Sequence, residues 1–119
     1  MKKPSISTLK RKLDKAWSLA IRSEGSCEVC GKLADYCQLH PHHFIGRRNL
    51  ATRWDLDNGF CLCALHHQLG LTSAHQNPEW FRKEVIRIRG IDYPKVMLRR
   101  ASKVKKWTYN ELLELLNKF

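Results

Sequence analysis

The sequence predicts an α+β fold in a single domain: a two-stranded hairpin running into a short helix, with further helices before and after. Three observations carry this. Apolar residues recur at helical spacing toward both ends of the 119-residue chain, the stretch between them is rich in glycine, cysteine and histidine, and Asp57-Asn58-Gly59 is a turn signal next to a short apolar strand. A chain of this length has room for one modest core. No apolar run approaches the roughly 20 residues of a membrane span. Met1-Lys2-Lys3 is basic but leads into no apolar stretch, so no secretory signal is expected and the predicted location is intracellular, in the cytoplasm.

Residues 5–23 read as an amphipathic helix. Ser5 or Ser7 suits the cap, Leu9, Leu13, Trp17, Ala20 and Ile21 repeat on one face, Lys10, Arg11, Lys12, Lys15 and Arg22 fill the others, and Gly25 ends it. From Cys27 to about Asn58 the chain is loop-rich, with a strand expected around 39–45. Phe60-Cys61-Leu62 forms the strand leaving the turn, and a helix is expected from about Ala64, carrying His66 and His67. Asn77-Pro78 is a cap followed by proline at the first helical position, and Trp80, Phe81, Val85 and Ile88 continue that helix to Gly90. Another helix covers Tyr93 to about Ser102. After the basic joint Lys103–Lys106, Thr108-x-x-Glu111 is a capping box opening a last helix with Leu112, Leu113, Leu115 and Leu116. The domain 1–119 therefore divides into a basic N-terminal helix (1–24), a core (25–77) and a helical C-terminal extension (78–119).

The net charge is +11, and its placement says more than its size. Residues 1–24 carry seven Lys and Arg against two acids, residues 25–75 four against four, and residues 76–119 eleven against five. A neutral centre between two basic arms suits a polyanion such as nucleic acid.

Five cysteines, two in Cys27-x-x-Cys30 and two in Cys61-x-Cys63, favour metal over disulfides in an intracellular protein. Thiolates and imidazoles bind zinc, and pairs closely spaced in sequence can bite one ion from a single turn. Cys27 and Cys30 make one pair; Cys63 and His66, three residues apart, make the other. Together they form a structural zinc knuckle stapling the base of the hairpin, and a metal supplies what so short a chain lacks in core. Gly31 suits the tight turn behind Cys30. Cys61 alternates to the other strand face, and Cys37, without partner spacing, is expected to be a small buried residue.

The remaining histidines add a second pattern. His42-His43-Phe44-Ile45, then Asn58, then Cys63-x-x-His66-His67 resemble the HNH endonucleases of the ββα-metal (His-Me finger) class, in the zinc-stapled form found in phages and mobile elements. The resemblance spans residues 27–81, with His66 standing where the family usually has a fourth cysteine. It implies a ββα-metal core, with His43 as general base, His42 and His67 holding a catalytic cation, and Asn58 tying the hairpin together and orienting the base. From Asn58 alone, a plain turn residue is an equal reading. The family's third cation ligand often lies four residues after the first helical histidine, where this chain has Leu71; His75 is the expected substitute, if Gly70 interrupts the helix. His40 is expected in a loop or as a partner to a ligand.

Hydrolysis of a phosphodiester needs a base near neutral pH and positive charge beside the phosphate, which imidazole and a divalent ion supply. Arg47 and Arg48 are candidate phosphate clamps, and the two basic flanks are expected to contact DNA backbone without reading sequence. The function expected is thus a metal-dependent endonuclease that nicks DNA, monomeric, with Zn2+ as structural ion and Mg2+ or Mn2+ as catalytic ion (Ni2+ or Zn2+ also being acceptable to imidazole). The alternatives are a non-catalytic zinc-dependent DNA-binding module and a subunit of a phage recombination or packaging complex, docking through its leucine-rich tail.

Overall fold

The computed structural model describes residues 2–119, and its architecture is α+β: one two-stranded antiparallel sheet with helices packed on both faces. Helix α1 (Ile6–Arg22) starts at Ser5, whose hydroxyl accepts the Thr8 N–H at 3.1 Å. Its buried residues are Leu9, Leu13, Trp17 and Ile21, each four after the last, so they form one stripe facing the core. Among the described residues no helix is long and apolar enough to cross a membrane.

Strand β1 (Leu39–His43) pairs antiparallel with β2 (Gly59–Cys63), in the register Leu39 with Cys63, His40 with Leu62, His42 with Phe60 and His43 with Gly59. All five residues of β2 are buried, since both of its faces are covered. Cys61 lies in a cluster with Leu9, Leu13, Trp17, Ile21, Trp54 and Leu112, whereas Phe60 and Leu62 pack on the opposite side with Phe81 and Val85. The knuckle covers the edge of β2 away from β1: the Glu28 N–H donates to Cys61 O at 2.8 Å, and Glu28 Oε2 accepts the Cys61 N–H at 2.6 Å.

Asp57 and Asn58 turn the chain just ahead of β2, as expected, and one expectation about the hairpin is corrected. The connection runs over residues 44–58, and its last residues form a short 3-10 turn (Leu56–Asn58) delivering the chain into β2. The helix expected from Ala64 is a single wide turn with π-type hydrogen bonding (Leu65–Leu69). Gly70 ends it, with its N–H donating to Leu65 O at 2.8 Å and with no room for a Cβ against that carbonyl. The chain then doubles back, and the N–H groups of Ala74 and His75 donate to the carbonyls of His66 and His67 at 2.8 and 3.0 Å.

Helix α2 (Pro78–Arg89) is capped by Asn77 and buries Phe81 and Val85. Helix α3 (Tyr93–Ala101) follows Gly90, whose φ of +98° accommodates the reversal. Helix α4 (Tyr109–Asn117) opens with the Thr108–Glu111 capping box, and Leu112 is fully buried against α1, with Leu115 and Leu116 partly so. Most of the leucine-rich tail is thus core. Cys37, expected to be buried, is only half-buried, its thiol 3.3 Å from Leu33 O.

Candidate functional site

Cys27, Cys30, Cys63 and His66 converge at one point, their ligating atoms all within 4.8 Å of one another. Four ligands around a tetrahedral zinc, at about 2.3 Å for sulfur and about 2.0 Å for nitrogen, stand about 3.8 Å apart between sulfurs and about 3.5 Å between sulfur and nitrogen. Cys30 Sγ lies 3.9 Å from Cys63 Sγ, and His66 Nδ1 lies 3.9 Å from Cys27 Sγ and 3.3 Å from Cys63 Sγ. The donor set and its spacing therefore fit zinc. The fit is prepared locally: Gly31, at φ +76°, turns the chain behind Cys30, and its N–H donates to Cys27 O at 2.7 Å.

The electrostatics of the cluster are uneven. Burial opposes a thiolate at Cys27, but the backbone N–H groups of Cys63, Cys30 and Val29 outweigh it and hold that thiol below its usual range. Burial, reinforced by the neighbouring Cys27, pushes Cys63 up to about 11. A dication among them would deprotonate both. Cys61 points away into the α1 core, where burial raises its thiol to about 11.

His42, His67 and His75 form the second convergence, again with their nearest ring nitrogens within 4.8 Å. β1 supplies His42, the wide turn supplies His67, and the doubling back supplies His75, with His75 Nε2 at 3.1 Å from His67 Nε2. Leu71, at the position four after His67, is 89% exposed and carries no ligand atom. Burial, then the neighbouring imidazoles, push His42 down to about 3, and the same causes push His67 down to about 4. Both rings are therefore neutral at physiological pH, the form that ligates metal. Phe81 backs the cluster edge-on, its ring centre 5.1 Å from that of His42. His40 is in β1 rather than a loop, with Nδ1 2.9 Å from His67 Nδ1.

His43 faces the other way, as neighbours on a strand must. Its ring stacks on Trp17 of α1, with centres 3.8 Å apart and an interplanar angle of 11°. Its Nε2 is 2.9 Å from Arg53 O. A carbonyl only accepts, so the proton sits on Nε2 and Nδ1 keeps the lone pair. Burial, aided by the Arg47 and Arg53 cations and opposed by the Arg53 carbonyl, keeps His43 below its usual range. His42 and His43 border one cleft of about 630 Å³, whose wall also includes Gly46, His75, Glu79 and Arg82.

Asn58 is fully buried and makes three bonds across the connection: its Oδ1 accepts the Ile45 N–H at 2.7 Å, and its Nδ2 donates to Ile45 O at 2.9 Å and Thr52 O at 3.1 Å. Its side chain makes no hydrogen bond to His43; it ties down the loop whose Arg53 carbonyl accepts from that ring. Asp14 of α1 secures the same loop through a two-point contact with Arg53, at 3.0 and 2.7 Å, and through Trp54 Nε1 at 2.8 Å.

Arg47 and Arg48 do not line the cleft. Arg47 bonds Asp14 at 3.1 Å, and Arg48 borders a separate groove with Lys103 and Lys105. The cation on the cleft wall is Arg82, which sequence reasoning passed over. A signal was present, since α2 begins three residues after His75 and its first turns must run beside that histidine. Trp17 likewise reads in the sequence only as part of an apolar helical stripe, and Asp14 carries no signal of its own there.

Compared with protein-family models, with curated proteins and with solved structures, the chain finds no match in any of the three.

Proposed function

We propose that the chain is a metal-dependent HNH-type endonuclease that hydrolyses DNA phosphodiester bonds, with a ββα-metal core resting on a structural zinc. One observation carries the reading: a ring with a free Nδ1 (His43) borders the same cleft as His42 and His75, two members of a three-imidazole cluster that His67 completes. A stabilising zinc knuckle alone has no use for that second group of histidines.

In this reading His43 accepts the proton of an attacking water at Nδ1. The water oxygen bonds to phosphorus as the bond to the leaving oxygen breaks. The Nε2–H bond to Arg53 O holds the ring in its acting tautomer and favours the imidazolium that results. His42, His67 and His75 are the groups suited to a divalent cation, which when bound neutralises charge on the phosphate and the leaving oxygen. Mg2+ or Mn2+ is the natural ion by availability, though three imidazoles also accept Ni2+ or Zn2+. Arg82, exposed on the cleft wall, suits a phosphate oxygen of the bound strand.

The test is nicking of supercoiled plasmid by the zinc-loaded protein with Mg2+ or Mn2+. The wild type is expected to nick, and His43→Ala to lose about 100-fold or more of that rate, as does a chelated control. DNA binding without cleavage under every cation would refute the reading and leave the DNA-binding module.

A further inference from the structure

His40 has no part in the chemistry above, yet it lies against a proposed ligand. Its Nδ1 is 2.9 Å from His67 Nδ1, and its Nε2 is 3.3 Å from Gln38 Oε1. With the Gln38 carbonyl oxygen turned toward His40, and with each ring carrying a single proton, the protons of this row can be placed in one order only. An amide oxygen accepts and never donates, so His40 carries its proton on Nε2 and offers a lone pair at Nδ1. His67 must then donate from its own Nδ1. That leaves the lone pair of His67 on Nε2, the atom 3.1 Å from His75 Nε2. Two nitrogens each about 2.1 Å from one ion stand roughly 3.0–3.4 Å apart, so this atom is the one placed to ligate.

We infer that Gln38 and His40 are positioning residues for the cation site: accepting in series, they hold His67 in the tautomer that ligates through Nε2. The inference rests on the reading of His42, His67 and His75 as that site. Strand geometry brings the parts together. His40 and His42 are two residues apart on β1 and share a face, so one strand supplies both a ligand and the group that orients another. Gln38 is anchored from the same end, its carbonyl accepting the Ala64 N–H at 3.2 Å just before the wide turn that carries His67. Metal-bound histidines commonly donate their second N–H to a carboxylate or a carbonyl. Here an imidazole takes that place and passes the requirement on to an exposed amide. The opposite amide orientation would reverse every donor in the row and put a proton on His67 Nε2, where no ion could bind.

The experiment is calorimetric titration of the zinc-loaded full chain with Ni2+, which imidazoles bind well, with zinc content measured before and after. His40→Ala is expected to weaken Ni2+ binding about 10–100-fold while keeping its zinc. Gln38→Glu changes an exposed residue and can only accept, so it is expected to bind Ni2+ as tightly as the wild type or more so. Unchanged affinity in His40→Ala, or a loss in Gln38→Glu matching that of His40→Ala, overturns the inference and leaves the cation site standing. A wild type that takes up no second ion overturns the cation site, and this inference with it.

Discussion

At the scale of single residues, His43 is oriented by groups distant in sequence. Trp17 supplies a flat surface beneath the ring, and its own Nε1 donates to Asp55 O at 2.9 Å. Arg53 O holds Nε2, and Asn58 holds the loop that presents it. Asn58 serves through the two-sidedness of its amide, which accepts from one N–H and donates to two carbonyls. Asn58→Asp keeps the acceptor but faces two carbonyl oxygens with a carboxylate. It is expected to destabilise the protein no less than Asn58→Ala, which leaves buried groups unpaired at about 1–3 kcal/mol each; urea unfolding of the two variants is the measurement, and a near-neutral Asn58→Asp would contradict the assigned bonds. None of this was visible in the Asn-Gly pair itself, because the same dipeptide serves an exposed turn and a buried clasp. Burial distinguishes them, and burial depends on the whole connection over residues 44–58.

At the scale of elements, helices were the most legible parts. Ser5, Asn77 and the Thr108–Glu111 box mark starts that chemistry makes recognisable, and the apolar stripes of α1 and α2 fall where the spacing put them. The wide turn over Leu65–Leu69 was not legible as such, since its shape is set by Gly70 closing on Leu65 and by the return of residues 74–75 onto His66 and His67. That return brings His75 to His67 across a gap which local spacing leaves undetermined. The tie between α1 and the connection makes a pH prediction. Burial disfavours the Asp14 carboxylate, but hydrogen bonds from Arg53 and Trp54 and the charges of Arg53 and Arg47 prevail, holding it below its ordinary 3.8. Its folded value is depressed, so its contribution is fully present above about 3.8 and is lost as pH falls through the lower folded value. Asp14→Asn is therefore expected to be less stable than the wild type at pH 7, with the gap closing below about pH 4. Urea midpoints at the two pH values check this, and a gap that persists in acid would count against it.

At the scale of the whole molecule, the core is split in two around β2, and neither half is large. A buried leucine or valine contributes about 1.5–3 kcal/mol, whereas zinc held by a site of this composition contributes on the order of 10 kcal/mol to folding. No single core residue contributes as much as the metal would. About one zinc per chain is expected by elemental analysis, and Cys27→Ser or strong chelation is expected to abolish the folded circular-dichroism signal rather than weaken it. A chelated chain that stays folded would show the knuckle to be dispensable. One small feature has a larger reach. Gly59 pairs with His43 across the sheet, and a Cβ there would strike Ile21 and Trp17, so its lack of a side chain is what admits α1 to the underside of the site. The core over residues 25–77 is therefore not a portable cassette. Grafted onto another scaffold without α1, it would carry its histidines but leave His43 without its floor, so the smallest transplantable unit begins at the first helix.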